Sequence, residues 1–132
     1  MTSQTTSGPQ AAIRRFVAAS VARVSPDATL AEVAEKLAAV EVGALVVAST
    51  ATGVDGMISE RDLVRAVGSG KDAATTKAGD VAARELIWCA PTDTVEDVAR
   101  QMMTAYVRHV LVREGDELIG IVSARDVLGA YL

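Results

Sequence analysis

The sequence predicts an α/β fold built from two pseudo-symmetric repeats, each ordered strand, helix, strand, strand, helix. The segment PDATLAEVA at 26–34 returns as PTDTVEDVA at 91–99, and the segment GMISERD at 56–62 returns as GIVSARD at 120–126. The two offsets differ by a single position, so a whole unit is duplicated, and two copies are too few for a solenoid. We therefore expect one pseudo-symmetric domain, with each half covering the apolar face of the other and clefts between the halves.

Each repeat begins with a short apolar strand, 22–24 or 87–89, which a proline shortly afterwards prevents from continuing. A helix start follows in both repeats, because Thr29 precedes Glu32 by three positions and Thr94 precedes Asp97 by three. This spacing is typical of a capping box. Apolar residues then recur at helical spacing on a face expected to enter the core: Leu30, Val33, Ala34, Leu37 and Ala38, and in the second repeat Val95, Val98, Ala99, Met102 and Met103.

Two short apolar runs follow each helix and predict an antiparallel strand pair. They cover 44–48 and 54–58 in the first repeat, and 109–112 and 117–122 in the second, and closing helices are expected at 61–67 and 125–131. The stretch 68–77 has no period and predicts a linker. The expected boundaries are a disordered tail or leading segment at 1–15, repeat 1 at 16–68, a linker at 69–79, and repeat 2 at 80–132.

Composition excludes several classes of protein. The net charge of −4 lacks the basic footprint of sequence-independent nucleic-acid binding. No apolar run approaches the length of a membrane span. The polar residues 1–10 lack the regions of a signal peptide. The single cysteine, Cys89, fits a reducing cytosol, so we expect a cytoplasmic protein.

Catalytic and metal chemistry find no support in the residue pattern. There is one histidine, no nucleophile elbow, and none of the common metal, phosphate-loop or dinucleotide motifs. The apolar flanks of Cys89 predict a buried, inert thiol with a raised pKa. The Met102–Met103 pair is interpreted as core rather than metal-binding. We expect neither an enzyme nor a metal site.

Several of these features together resemble the cystathionine-β-synthase (CBS) domain. They are the proline after a short strand, the capped helix, the strand preceded by Arg108-His109, and the Gly-apolar-apolar-Ser-x-Arg-Asp segment before the last helix. Two copies in tandem resemble a Bateman module, and the comparison is with stand-alone bacterial proteins of two repeats. The resemblance covers about residues 16–132.

The resemblance implies that the Ser-x-Arg-Asp segments bind an adenine nucleotide, with the Asp holding the ribose hydroxyls. The corresponding residues are Ser59, Arg61 and Asp62 in repeat 1, and Ser123, Arg125 and Asp126 in repeat 2. A strand-to-helix junction suits an anion, because free N–H groups and the positive end of the helix dipole meet there. The alternative is that Ser-x-x-Asp is only a capping box.

The resemblance also implies that Arg108 and His109 contact the ligand phosphates. The matching positions in repeat 1, Gly43 and Ala44, carry no charge, so the two clefts are predicted to be unequal. Neighbours in a strand point to opposite faces, so both side chains can serve one site only if the strand has not yet begun at Arg108. The alternative is a solvated Arg108 and a His109 packed on the sheet.

Two functions remain open at this point. In the first, the protein is a ligand-sensing module that binds AMP, ADP, ATP or S-adenosylmethionine. The phosphorylated ligands are expected in the cleft of repeat 2. In the second, a structural dimer with vestigial clefts binds an unidentified protein partner. The resemblance implies a homodimer that meets through helices, and the apolar residues Leu30, Leu37, Val64 and Val67 predict surplus apolar helical surface for that contact.

Overall fold

Two three-stranded sheets, one for each repeat, organise the computed structural model, which describes residues 8–17 and 21–131. The strands are β1 Arg23–Val24, β2 Ala44–Val47 and β3 Gly56–Ser59, then β4 Trp88–Cys89, β5 His109–Glu114 and β6 Glu117–Ser123. In each sheet the middle strand is antiparallel to the third, as predicted, and parallel to the first. The parallel pairing follows because a helix crosses over between these two strands.

Five α-helices accompany the strands in the described part of the chain. They are α1 Leu30–Val40, α2 Glu60–Gly68, α3 Ala78–Val81, α4 Val95–Ala105 and α5 Ala124–Tyr131. Both predicted capping boxes are present: the hydroxyl of Thr29 accepts a hydrogen bond from the Glu32 N–H at 3.2 Å, and the hydroxyl of Thr94 accepts one from the Asp97 N–H at 3.1 Å. The order strand, helix, strand, strand, helix is therefore confirmed in both repeats.

Backbone contacts divide the chain into two units, each with its own core. The first unit is residues 21–86, and the second unit is residues 8–17 together with 87–131. The core of the first unit contains Leu30, Val33, Leu37, Leu45, Val47, Ile58, Ala66 and Ala78. The core of the second unit contains Ala11, Ile13, Cys89, Val95, Val98, Met102, Val110, Val112, Val122, Val127 and Ala130.

The segment that precedes each repeat in sequence packs in the unit formed by the other repeat. The N–H of Ile13 donates to the carbonyl of Asp93, and at the equivalent position of the other repeat the N–H of Ala78 donates to the carbonyl of Ala28, both at 2.7 Å. Ile13 and Ala78 are both fully buried. The duplication therefore extends into these leading segments, and each unit is completed by a piece of chain from before the other repeat.

Parts of the expected tail and linker carry ordered structure because of this exchange. Within the expected tail 1–15, residues 8–15 carry 3₁₀ turns and place Ala11 in the core of the second unit, while residues 1–7 lie outside the described residues. The expected linker 69–79 already contains the first residues of α3. Segments this short have no helical or strand period, so the sequence pattern did not reveal their packing.

The helix surfaces differ from the expectation at four positions. Leu30 and Leu37, expected to supply dimer surface, are buried, whereas Ala38 and Met103, expected in the core, are exposed. The large exposed apolar residues are Val40, Val42, Val64 and Val67 in the first unit, and Met103, Tyr106, Leu128 and Tyr131 in the second. Among the described residues, no helix combines the length and apolar character needed to cross a membrane.

Candidate functional site

The junction between β6 and α5 in the second unit holds Asp126 in a fixed orientation. The Ser123 hydroxyl accepts a hydrogen bond from the Asp126 N–H at 3.1 Å, and Oδ2 of Asp126 accepts one from the Ser123 N–H at 2.9 Å. The capping interpretation is therefore confirmed here. No described group bonds to Oδ1 of Asp126. Capping thus fixes this half-buried carboxylate and leaves one oxygen able to accept hydrogen bonds from a ligand.

The junction between β3 and α2 in the first unit has the same capping box with one additional bond. Oδ2 of Asp62 accepts from the Ser59 N–H at 2.9 Å, and the Ser59 hydroxyl also donates to it at 2.9 Å. The hydroxyl proton of Ser59 is therefore used within the capping box. No corresponding bond from the Ser123 hydroxyl to Asp126 is found, so Ser123 can donate its proton elsewhere.

Arg108 and His109 lie beside the Asp126 junction. The carbonyl of Arg108 accepts a hydrogen bond from the Ala124 N–H at 2.8 Å, and His109 pairs with Ser123 across β5 and β6. Because β5 begins at His109, Arg108 precedes the strand, and the alternation of strand faces does not separate the two side chains. Arg108 is exposed and His109 is half-buried.

The structure thus gathers all five expected residues of repeat 2 at one end of the second unit's sheet. Arg125 completes the group as an exposed cation in the first turn of α5. The equivalent end of the first unit has Gly43, whose carbonyl accepts from the Glu60 N–H at 2.9 Å, and Ala44, which pairs with Ser59. Arg61 is exposed there. The matching positions therefore supply one arginine in the first unit, against two arginines and a histidine in the second.

A contact that the sequence pattern did not indicate lies on the same sheet. The guanidinium of Arg113 lies over the Trp88 ring, 4.7 Å from its centroid. The Gln101 side-chain amide donates to the Trp88 carbonyl at 3.1 Å and so ties α4 to the edge strand β4. The sequence alone does not indicate this contact between Arg113 and Trp88, because it depends on the register in which β4 pairs with β5.

An open groove of about 470 Å³ lies beside α4. Its lining is formed by Ile87, Asp93, Asp97, Arg100, Gln101, Thr104 and Ala105. The side-chain carbonyl of Gln101 is buried without a hydrogen-bond partner. The backbone N–H and hydroxyl of Thr94 hold the pKa of Asp97 below its usual range. Because the groove shares no residue with the expected ligand set, we do not assign the ligand to it.

Cys89 is a buried free thiol. Burial, followed by the nearby Asp93 carboxylate, raises its pKa from 9.0 to about 12. The structure therefore agrees with the prediction of a buried thiol with a raised pKa, which leaves little of the reactive thiolate at neutral pH. In the described part of the chain, no group of three or more His, Cys, Asp or Glu residues could hold a metal ion.

Comparison with known proteins gives two matches to one family model. The model described as CBS domain matches residues 13–69 and 78–132. Both matches begin at the buried residues of the exchanged leading segments.

Two solved structures resemble the chain along most of its length. A CBS-domain containing protein from Agrobacterium tumefaciens is 29% identical with a TM-score of 0.86, covering 92% of this chain and 93% of its own. A CBS domain protein from Pyrobaculum aerophilum, complexed with AMP, is 30% identical with a TM-score of 0.77, covering 87% and 88%.

An enzyme also matches part of the chain. Arabinose 5-phosphate isomerase of Yersinia pestis is 30% identical over 107 residues, which are 81% of this chain but 33% of the isomerase. The chain thus spans one third of that enzyme's length.

Proposed function

Because the chain belongs to the CBS-domain family as a tandem pair, we propose that it is a regulatory module that binds an adenine nucleotide or a related adenosyl ligand. No catalytic step is assigned to it. The relative from Pyrobaculum aerophilum, complexed with AMP, supports this ligand class. The specific ligand among AMP, ADP, ATP and S-adenosylmethionine is left to experiment.

The observation that carries the proposal is that helix capping engages only one of the two carboxylate oxygens of Asp126. Oδ2 caps α5, while Oδ1 makes no bond to a described group. A carboxylate oxygen accepts hydrogen bonds only, and it suits the adjacent hydroxyls of a ribose. Because capping already fixes the carboxylate, binding costs little side-chain entropy.

The cations beside Asp126 favour a phosphorylated ligand in the second unit. Arg108 and Arg125 can each make charge-assisted bonds to phosphate, and a protonated His109 adds a third cation. In the first unit Gly43 and Ala44 replace two of these groups, and the Ser59 proton is already donated to Asp62. We therefore propose that Asp62 and Arg61 bind a nucleotide weakly or take a less charged ligand.

A second candidate function is a structural homodimer that binds another protein. It is supported by the exposed apolar side chains on the helices, because grouped apolar residues at a surface usually mark an interface. In the second unit Met103, Tyr106 and Leu128 are 77%, 88% and 67% exposed. We propose that such helix surfaces form the homodimer contact in either function.

Thermal unfolding with adenine nucleotides separates the two functions. A ligand at about 100 times its Kd adds about 2.7 kcal/mol to the free energy of unfolding, so at least one of AMP, ADP, ATP or S-adenosylmethionine should raise Tm. No shift with any of them at millimolar concentration would favour the structural function. Sedimentation of the same samples should show a dimer, and a monomer at micromolar concentration would contradict the proposed helix contact.

A further inference from the structure

The second unit's sheet packs one face on the helical core, and its opposite face has mixed chemistry with Leu111 fully buried on it. Cys89, Val110, Val112 and Val122 belong to the helix-side core. Because side chains alternate along a strand, the neighbouring residues lie on the opposite face. These are Trp88 on β4, His109, Leu111 and Arg113 on β5, and Ile121 and Ser123 on β6.

Trp88 therefore shares a sheet face with two residues of the proposed nucleotide site. It pairs with Leu111, and His109 pairs with Ser123, so Trp88 lies two positions along the strand from that pair. Along the strand direction this offset is about 7 Å, and across the sheet β4 lies one strand spacing of about 4.8 Å from β5 and two from β6. A nucleoside whose ribose lies near Ser123 can reach the indole with its base.

The indole is held by contacts that do not involve the expected ligand residues. Arg113 stacks on it at 4.7 Å, and Gln101 fixes the backbone carbonyl of the same residue. Arg113 and His109 lie two positions to either side of Leu111, the strand partner of Trp88. Arg113 therefore reaches the ring from a strand position on the opposite side of Leu111 from His109.

We infer that Trp88 is the specificity-determining residue for the base, stacking on the planar ring of the bound nucleotide while Arg113 holds the indole in place. This inference rests on the proposed function and adds which group selects the base. The first unit offers no equivalent, because Arg23 and Ala48 occupy the positions that match Trp88 and Arg113. Arg23 donates instead to the carbonyl of Gly53 at 3.0 Å. Base selection is thus confined to the second unit.

The test compares AMP with ribose 5-phosphate, which has the sugar and phosphate but no base. Calorimetric titration is done with the wild type, Trp88→Leu and Trp88→Phe. Loss of base stacking should weaken AMP binding to Trp88→Leu by about fivefold or more, since stacking on an aromatic contributes roughly 1–3 kcal/mol per base. Binding of ribose 5-phosphate should be unchanged, and Trp88→Phe should restore most of the AMP affinity.

Fluorescence of the wild type gives a second readout that does not depend on a variant folding. Trp88 is the single tryptophan, so stacking of the base should quench its emission with AMP and not with ribose 5-phosphate. Three results would each overturn the inference and leave the proposed function intact. They are an unchanged AMP affinity in Trp88→Leu, an equal loss of affinity for both ligands in that variant, and AMP binding to the wild type without a change in Trp88 emission. A wild type that binds neither ligand would overturn the proposed function, and this inference with it.

Discussion

The Asp126 carboxylate has two oxygens, and helix capping occupies one of them. The Ser-x-x-Asp spacing alone could not decide between a cap and a ligand contact, because it satisfies both. The geometry shows that capping uses only Oδ2, so a ligand contact through Oδ1 would not compete with it. This interpretation applies equally to Asp62, where the Ser59 hydroxyl adds a second donor to the capping oxygen.

The pKa of Cys89 predicts a pH dependence of stability. Burial and Asp93 raise it from 9.0 to about 12, so above pH 9 the unfolded chain loses a proton that the folded chain retains. The unfolded state then binds fewer protons, and this contribution to stability is complete below about pH 9 and is lost as pH rises toward 12. Urea unfolding at pH 8 and about pH 10.5 should show a smaller loss of stability in Cys89→Ala than in wild type.

The comparison with the variant is necessary because Tyr and Lys side chains also titrate in this range. A thiol reagent provides a second check: Cys89 should react slowly at pH 8 in the folded protein and rapidly in urea. Equal pH dependence in wild type and variant, together with a fast reaction of the folded thiol, would contradict the buried environment described for Cys89.

Sequence alone identified the residues whose roles are local. The capping pairs and the buried thiol follow from spacing and from flanking apolar residues. The stack of Arg113 on Trp88 was missed because it joins residues distant in sequence through the pairing of β4 with β5. Exposure of Met103 was missed because Met102 and Met103 both fit a loose helical period, and only the packing of α4 shows that Met102 is the buried one.

The exchanged leading segments are the main feature at the level of secondary-structure elements. The helices and paired strands were predictable because each has a period and a start signal. The segments around Ile13 and Ala78 have neither, and their role is defined by backbone bonds to the loops before α4 and α1. The two segments occupy matching positions before their repeats. Their side chains, however, show no similarity from which the match could have been predicted.

Replacing Ile13 tests this exchange. Ile13 is fully buried in the core of the second unit, so Ile13→Ala should lower the free energy of unfolding by about 2–5 kcal/mol. Hydrogen exchange should show the loosening in residues 87–131 more than in 21–86. The matched control is Arg14→Ala, whose ion pair with Glu114 is exposed at 3.9 Å and should contribute about 0–1 kcal/mol. Loosening confined to 21–86 would contradict the exchange.

At the scale of the whole molecule, the two repeats share one fold but differ in the residues beside their Ser-x-Arg-Asp junctions. Both units have the same sheet topology, the same capped helices and the same Ser-x-Arg-Asp junction. They differ in the residues beside that junction, with Arg108 and His109 in one and Gly43 and Ala44 in the other. The duplication was readable from the sequence, and so was this difference, because the repeat aligns the two sites residue by residue.

The central claim is that the junction of the second unit binds the nucleotide, and calorimetric titration of AMP into wild type, Asp126→Ala and Asp62→Ala tests it directly. Both substitutions remove the carboxylate half of an equivalent capping box and leave the serine half in place, so each controls for the stability effect of the other. The hydrogen bonds lost with Asp126 should weaken AMP binding about tenfold or more, while Asp62→Ala should bind nearly as the wild type does. Loss of binding in Asp62→Ala with Asp126→Ala intact, or no binding to wild type at millimolar AMP, would contradict the claim.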